Sequence, residues 1–307
     1  MKDLITLQNL TASEINEIIE LAFKIKAEGR DFGCPLLGKT LALIFQKPSM
    51  RTRVSFEVGI YQLGGQAIYL GSGEVGMGKR EAVKDFAKTI SRYIDAIVLR
   101  TFSQKDIDEF ARYATVPVVN GLSDLSHPCQ ALGDVMTMKE KLGRLIGINL
   151  AWVGDGNNVL HSLMHACGKL GVNLSIAAPA GYEPAGSVLK QAKIDAKKSK
   201  AVIKLSHSPS DAVKGVDFIY TDVWASMGQE SEYKKRLVAF RGFQVNTALL
   251  KKAKHSVSVM HCLPAHRGEE ITNDAIDGKH SIVYEQAENR LHIQKAILVK
   301  LMGGNSG

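Results

Sequence analysis

The chain has 307 residues, 45% hydrophobic and 23% charged, a balance that excludes disordered and collagen-like classes and fits a soluble globular protein. Its formal net charge is +8, but apart from short clusters such as Lys197-Lys198 and Lys234-Lys235-Arg236 the basic residues are dispersed, with no basic run interleaved with aromatics. A doubly charged phosphorylated substrate would be drawn to a positive cleft, a basic solvated surface accounts for most of the lysines, and neither nucleic acid nor membrane is the expected partner.

No apolar stretch reaches the ~18–20 residues of a membrane span, and the N-terminus lacks the apolar core of a signal peptide. Cys34, Cys129, Cys167 and Cys262 are widely spaced, without a CxxC or zinc pattern, so reduced thiols, a cytoplasmic location and no metal are expected. The length suits two domains of roughly 150 residues each.

Taken in chain order, Thr11-Ala12-Ser13-Glu14 has the capping-box pattern. Ile15, Ile18, Ile19, Ala22 and Ile25 follow at helical spacing, and Gly29 stops the run. Strand-like runs come next at 41–45, 67–70, 96–99 and 116–119, most of them separated by helical segments. Residues 136–145 read as a linking helix. A second set of strands is expected at 148–153, 174–177, 202–205, 218–220 and 257–260, and residues 288–301 have helical periodicity. This alternation predicts an α/β fold of two domains, each a parallel sheet with right-handed crossovers and flanking helices.

Three segments carry chemistry. Phe45-Gln46-Lys47-Pro48-Ser49-Met50-Arg51-Thr52-Arg53 joins the end of a strand to the start of a helix for which Ser49 is a good N-cap. The first turn of a helix offers unpaired N–H groups and a positive dipole end, and this turn adds two hydroxyls and two guanidiniums, the donor set of a phosphate site. The bland alternative is a capped helix with solvated arginines. Ser126-His127-Pro128-Cys129-Gln130 follows a strand and the Gly121 turn, where open α/β sheets place their chemistry. His127 can donate to a carbonyl or accept a proton, and Gln130 can offer its amide oxygen to an NH2 group. The third segment, His261-Cys262-Leu263-Pro264-Ala265-His266-Arg267, also runs straight out of a strand. A lone cytosolic cysteine is most often a buried structural thiol, but Cys262 stands beside two histidines and an arginine. Gly154-Asp155-Gly156-Asn157-Asn158-Val159 invites a dinucleotide reading, which is weak: the third glycine is replaced by Val159, and the next strand ends without an acid.

Together these segments resemble the carbamoyltransferase family, which includes aspartate and ornithine enzymes. Its phosphate motif is matched by Ser49-Met50-Arg51-Thr52-Arg53, with Met50 in place of the usual Thr, and its His-Pro-x-Gln motif by His127-Pro128-Cys129-Gln130. His261-Cys262-Leu263-Pro264 and Asp222-Val223-Trp224-Ala225-Ser226-Met227-Gly228 are similar to the ornithine branch, and the likeness runs essentially end to end, to Glu285–Leu291. The resemblance implies a carbamoyl phosphate-binding domain over 1–138 and 287–307, an ornithine-binding domain over 139–286, and an active site in the cleft between them.

It implies transfer of the carbamoyl group of carbamoyl phosphate to the δ-amine of L-ornithine, without cofactor or metal. The phosphate would be held by Ser49, the Met50 backbone, Arg51 and Thr52, with Arg100 reaching both phosphate and carbonyl oxygen. His127 would donate to that oxygen, Gln130 would hold the NH2, and Arg290 with the Cys262-Leu263 backbone would complete this side. Asp222 and Ser226 would take the α-amino group of ornithine, Asn158 and the Met227 N–H its carboxylate, and Cys262 would lie near the attacking amine. Citrulline formation for arginine biosynthesis and its catabolic reversal would use the same residues. The resemblance further implies a homotrimer or a multiple of trimers, in which the loop Gly73 to Glu81 reaches a neighbouring subunit's site. Gly76 there departs from a frequent Gln, with Lys79 and Arg80 close by. Two other readings stay open: a carbamoyltransferase for N-acylated ornithine or putrescine, and a non-catalytic binding protein on the same scaffold.

Overall fold

The structure is a computed structural model and describes residues 1–75, 77, 81–226 and 228–303. The loop positions Gly76, Lys79 and Arg80, and the site residue Met227, lie outside the described residues. The chain divides into two compact units, one formed by Met1–Gly133 with Asn289–Gly307 and the other by Asp134–Glu288.

The first unit opens with α1 (Ala12–Glu28), whose capping box forms as the sequence predicts. The Thr11 hydroxyl accepts from the Glu14 N–H, and Thr11 N–H donates to the Glu14 carboxylate at 2.8 Å. Strands β1 (Thr40–Phe45), β2 (Gln66–Leu70), β3 (Ala96–Arg100) and β4 (Val118–Leu122) then alternate with α2 (Met50–Gln62), α3 (Val83–Ile90) and α4 (Gln104–Tyr113). All pairings are parallel, in the order β2-β1-β3-β4. Every residue of β3 is buried, as in a parallel strand covered on both faces, which is why Ala96-Ile97-Val98-Leu99 reads as an unbroken apolar run. Ile44, Ile97, Leu99, Ile107, Phe110 and Val118 form one shared core.

β4 begins two residues later than the apolar run suggests. Pro117 has no N–H to donate, and its carbonyl instead accepts from Ile97 at 3.0 Å. The strand extends through Asn120 because Leu4 pairs along its other edge. Gly121 lies within β4 rather than in a turn, where the register with β3 shifts; a Cβ there would lie 3.0 Å from Val98 Cγ1 and 3.1 Å from the Leu99 carbonyl, so a side chain would press on both.

The expected linking helix starts eight residues earlier than 136: α5 spans Pro128–Leu142 and springs directly from His127. Proline is favoured at the first helical position because its missing N–H has no partner there anyway. In the second unit β5 (Asn149–Val153), β6 (Asn173–Ala177), β7 (Ile203–Ser206), β8 (Phe218–Thr221) and β9 (Ser258–His261) form a parallel sheet in the order β7-β6-β5-β8-β9. Its helices are α6 (Asn158–Leu170), α7 (Gly186–Ser199), α8 (Pro209–Ala212), α9 (Tyr233–Ala239), α10 (Thr247–Leu250) and α11 (Asn273–Ile276). Val153, Ile219, Val259, Trp224, Phe240 and Ile271 sit in its core. The last helix, α12 (Val283–Met302), starts before the 288 expected from periodicity.

Both sheet orders contain a reversal. In the first sheet the chain turns from building outward through β2 to building the other way through β3; in the second the reversal falls between β5 and β8. Loops leaving the carboxyl ends of the strands on either side of such a reversal diverge and leave a crevice, the usual ligand position in open α/β sheets. Those loops are 46–49 and 101–103 in the first unit, and 154–157 and 222–229 in the second.

Candidate active site

In the first unit, β1 delivers Ser49 as the N-cap of α2, with its Oγ accepting the Thr52 N–H at 3.3 Å. The Ser49 hydroxyl lies 3.1 Å from Thr52 Oγ1, which also accepts from the Arg290 guanidinium at 2.8 Å. The N–H groups of Met50 and Arg51, in the first turn, have no acceptor within the helix. The Met50 side chain is largely exposed.

Arg51, Arg100 and Arg290 form one cationic group. Burial, then the charges of Arg290 and Arg51, lower the pKa of Arg100 to about 10. His127 is buried, and desolvation followed by the charges of Arg290 and Arg100 holds its pKa well below the usual value, leaving a neutral imidazole at physiological pH. Gln130 is buried one turn along α5. Gly133 has no Cβ to occupy the space 3.3 Å from Arg290 Cγ. Cys129, between them, is an inert thiol whose pKa burial pushes up to about 12.

The second guanidinium of the phosphate motif does not join this group. Arg53 pairs with Glu57 at 2.9 Å and stacks over the Tyr69 ring at 3.8 Å, on the outer side of α2. At helical spacing, Arg51 and Arg53 project in different directions, so one motif supplies one charge clamp rather than two.

In the second unit the loops after β5, β8 and β9 meet at Asp222. One carboxylate oxygen accepts from Asn157 Nδ2 at 2.7 Å; the other accepts from the Val223 N–H and the Cys262 thiol, each at 2.8 Å. Sequence reasoning does not single out Asn157, yet the helix cap is Asn157 rather than Asn158: its Oδ1 accepts from Val159 and Leu160, while its Nδ2 orients Asp222. The adjacent Asn158 is the first helical residue and is half-buried. An Asn-Asn pair before a helix is the signal that one caps and the other projects.

The glycines of this turn have packing reasons. A Cβ on Gly156 would lie 2.3 Å from Glu183 C and Pro184 N, and Gly154 has φ +143°.

Leu263, in the loop after β9, has φ +57°, uncommon for a branched side chain. Its N–H is held by His261 Nδ1 at 2.9 Å, and the other ring nitrogen faces the buried Glu270 carboxylate at 3.0 Å. His261 therefore donates from Nε2 and accepts at Nδ1. Since the Leu263 N–H is already committed, its carbonyl is the group it can offer a substrate. Among the described residues, Asp222, His261 and Cys262 bring donor atoms within 4.8 Å of one another, but these hydrogen bonds account for the grouping.

The Ser226 N–H is capped by Gln229 Oε1 at 2.9 Å. Downstream, the buried Arg236 of α9 donates to the Trp224 carbonyl at 2.8 Å and pairs with Asp155 at 3.0 Å, tying the β5 and β8 loops together. Burial raises the Asp155 pKa to about 6 against the pull of Arg236. Replacing Arg236 by Gln is expected to lower the unfolding free energy by about 3–5 kcal/mol, because it leaves a buried carboxylate without its cation. Urea unfolding of Arg236→Gln, Asp155→Asn and the double variant checks this: the double variant should lose less than the sum of the two singles.

Residues 2–140 match the model of the aspartate/ornithine carbamoyltransferase carbamoyl-P binding domain, and residues 146–301 match that of the Asp/Orn binding domain. The chain belongs to the aspartate/ornithine carbamoyltransferase family. Within that family it is 54% identical over 306 residues to the anabolic ornithine carbamoyltransferase of Pyrococcus furiosus, covering 99% of this chain and 97% of that one. It is 53% identical to the ornithine carbamoyltransferase of Thermococcus kodakarensis, with the same coverage. Among solved structures, the ornithine carbamoyltransferase from Pyrococcus furiosus superposes with a TM-score of 0.96 over 99% of this chain and 97% of that chain. The enzyme from Thermus thermophilus, 44% identical, gives 0.89 over 98% and 99%.

Proposed function

We propose that the chain transfers the carbamoyl group of carbamoyl phosphate to the δ-amine of L-ornithine, giving citrulline and inorganic phosphate. The observation that carries this is the Cys262–Asp222 contact: a carboxylate held by three donors, one of them the thiol, suits a cationic amine acceptor.

The phosphate lies on the α2 N-terminus, held by Ser49, the Met50 N–H, Arg51 and Thr52. Arg100 bridges phosphate and carbonyl oxygen, and Arg290 adds charge. His127 donates to the carbonyl oxygen, while Gln130 and the Leu263 carbonyl take the NH2 group. Asp222 and Ser226 hold the α-ammonium, Asn158 and the Met227 N–H the carboxylate, and Cys262 borders the δ-amine. The amine nitrogen forms a bond to the carbamoyl carbon, negative charge gathers on the carbonyl oxygen, and the carbon–oxygen bond to phosphate breaks. Arg100 and His127 stabilise that charge, which is where preorganised donors contribute most. The amine proton leaves with the phosphate or to solvent. The step transfers no electrons, and phosphate is a good leaving group, so neither metal nor redox cofactor is invoked. The proposed setting is cytoplasmic arginine biosynthesis by a homotrimer or a multiple of trimers; light scattering should then give a mass about three times the 33.4 kDa of the chain, or a multiple of that.

The direct test is citrulline formation from carbamoyl phosphate and L-ornithine, with N-acetylornithine, putrescine and aspartate in parallel. Product with ornithine alone is expected; product only with another acceptor, or with none, overturns the reading. The pH profile gives a second check. Between pH 7 and 9 His127 stays neutral and Arg100, with its pKa lowered to about 10, stays mostly charged, so the titration expected to govern that window is that of the substrate amine, with a pKa near ~10.4 in water. Turnover is expected to rise from about pH 7 to 9; a flat profile with chemistry rate-limiting contradicts it.

A further inference from the structure

We infer that Gln104 is a positioning residue for His127. The inference rests on the proposed role of His127 at the carbamoyl oxygen. His127 sits where the β4–α5 turn ends and α5 begins, so its placement is set by residues 123–126.

That turn and the neighbouring Asn120 share one side-chain acceptor on a different element, beside the Ile5 carbonyl, which accepts from Asn120 Nδ2 at 2.9 Å and Ser126 Oγ at 3.5 Å. Gln104 Oε1, at the start of α4, accepts from Ser123 Oγ at 2.6 Å, Ser126 Oγ at 3.1 Å and Asn120 Nδ2 at 3.3 Å. The turn then closes on itself: Ser126 N–H donates to Ser123 Oγ, and Ser123 N–H to the Ser126 carbonyl, both at 3.0 Å. Gln104 is in turn oriented from both ends. Its Nε2 donates to Asp108 Oδ1 at 2.9 Å, and its backbone N–H donates to Asp124 Oδ1 at 2.7 Å. Gln104, Asn120, Ser123, Ser126 and His127 are all buried, so the bonds from Asn120, Ser123 and Ser126 to Gln104 Oε1 are shielded from water.

Four residues before Gln104 in the same strand–loop–helix connection lies Arg100, and Thr101 N–H joins this loop to Leu122 at 3.0 Å. The β3–α4 connection thus carries one of the two groups assigned to the carbamoyl oxygen and fixes the turn that carries the other. An apolar residue at 104 would leave two serine hydroxyls and an asparagine amide without their shared acceptor, and the turn would settle elsewhere. His127 is one residue beyond Ser126, so such a shift moves its imidazole directly.

The test is steady-state kinetics on Gln104→Met, which keeps length and removes the acceptor. With citrulline as product, kcat should fall about 10- to 100-fold, the scale of a misplaced catalytic group, while KM for ornithine stays within about twofold. A purely structural role would instead lower the melting temperature and the active fraction and leave kcat per active site unchanged, as counted by single-turnover amplitude.

A donor–acceptor exchange guards against misfolding of that variant. Gln104→Glu alone sets a carboxylate against Asp108. In the Gln104→Glu/Asp108→Asn double variant, the amide introduced at position 108 donates to the carboxylate introduced at position 104. That carboxylate still accepts from the turn, and kcat should recover most of the loss. Unchanged kcat in Gln104→Met, or no recovery in a folded double variant, overturns the inference. His127→Ala run beside them separates the two ideas: if it retains wild-type kcat, the reading of His127 fails first, whatever Gln104 does.

Discussion

An Arg100→Met chain is expected to be more stable than the parent in phosphate-free buffer and at the same time to lose most of its activity. The charges that act on Arg100 are both positive, those of Arg290 and Arg51, and its Nε is buried without a hydrogen-bond partner. Three guanidiniums gathered at a helix N-terminus repel one another, and the dipole end of α2 adds to the positive potential. Such an arrangement is held in place by the rest of the fold and would be relieved by the proposed dianion. Removing one cation and substituting an apolar chain of similar length should raise the unfolding free energy by about 1–2 kcal/mol, the usual size of a stability gain made at the expense of function. The same change removes the donor proposed for the developing oxyanion, so kcat should fall about 10²–10³-fold. Thermal melts with and without inorganic phosphate separate the two effects. The parent should gain about 2.7 kcal/mol at a phosphate concentration 100 times its Kd. The variant should start higher and gain much less. A variant that melts lower in phosphate-free buffer and is still fully stabilised by phosphate sinks the cluster as an anion site.

The capped first turn of α2 is legible in the sequence. Ser49, Arg51 and Thr52 declare themselves because strand end, N-cap and helix start are local in sequence, and a helix N-terminus has the same electrostatics wherever it occurs. The strands were legible for a related reason: buried parallel strands give unbroken apolar runs such as Ala96-Ile97-Val98-Leu99. What could not be read is what depends on partners distant in sequence. Arg53 looks as good a phosphate ligand as Arg51 until Tyr69 and Glu57 claim it. Asn157 and Asn158 are indistinguishable until one is seen to reach Asp222, 65 residues away. Arg236 reads as part of a basic cluster, Lys234-Lys235-Arg236, yet it is buried and joins two loops, while Gln104 looks like an ordinary first-turn residue. The start of α5 escapes periodicity because residues 128–138 are buried on every side, Gln130, Asp134 and Thr137 included, so no alternation of polar and apolar faces marks it, and the helix is set by Pro128 and the turn before it.

The acceptor side gives the second large effect. Asp222→Asn is expected to reduce kcat/KM for ornithine by about 10²–10³-fold while leaving the stabilisation by inorganic phosphate unchanged. The carboxylate receives Asn157 Nδ2 at one oxygen and Val223 N–H with the Cys262 thiol at the other. A carboxylate accepts at both oxygens, whereas an amide presents one acceptor and one NH2 group. Whichever way the substituted amide turns, its NH2 meets a donor: the Asn157 amide on one side, or the Val223 N–H and the thiol on the other. The substitution therefore removes the charge that would hold the α-ammonium and also unfastens Cys262 and the β5–α6 turn from one another. Truncating one partner of a buried charged hydrogen bond costs about 2–5 kcal/mol, which sets the size of the expected loss. Both kinetic parameters should move, KM through the lost ion pair and kcat through the displaced thiol. Cys262→Ser supplies the contrast, because a hydroxyl still donates to Asp222 and keeps the loop in place; its KM for ornithine should stay within about threefold of the parent while kcat falls. If Asp222→Asn changes kcat alone, with KM for ornithine intact, Asp222 acts on the chemistry without binding the amino acid, and the α-ammonium must be held by another group.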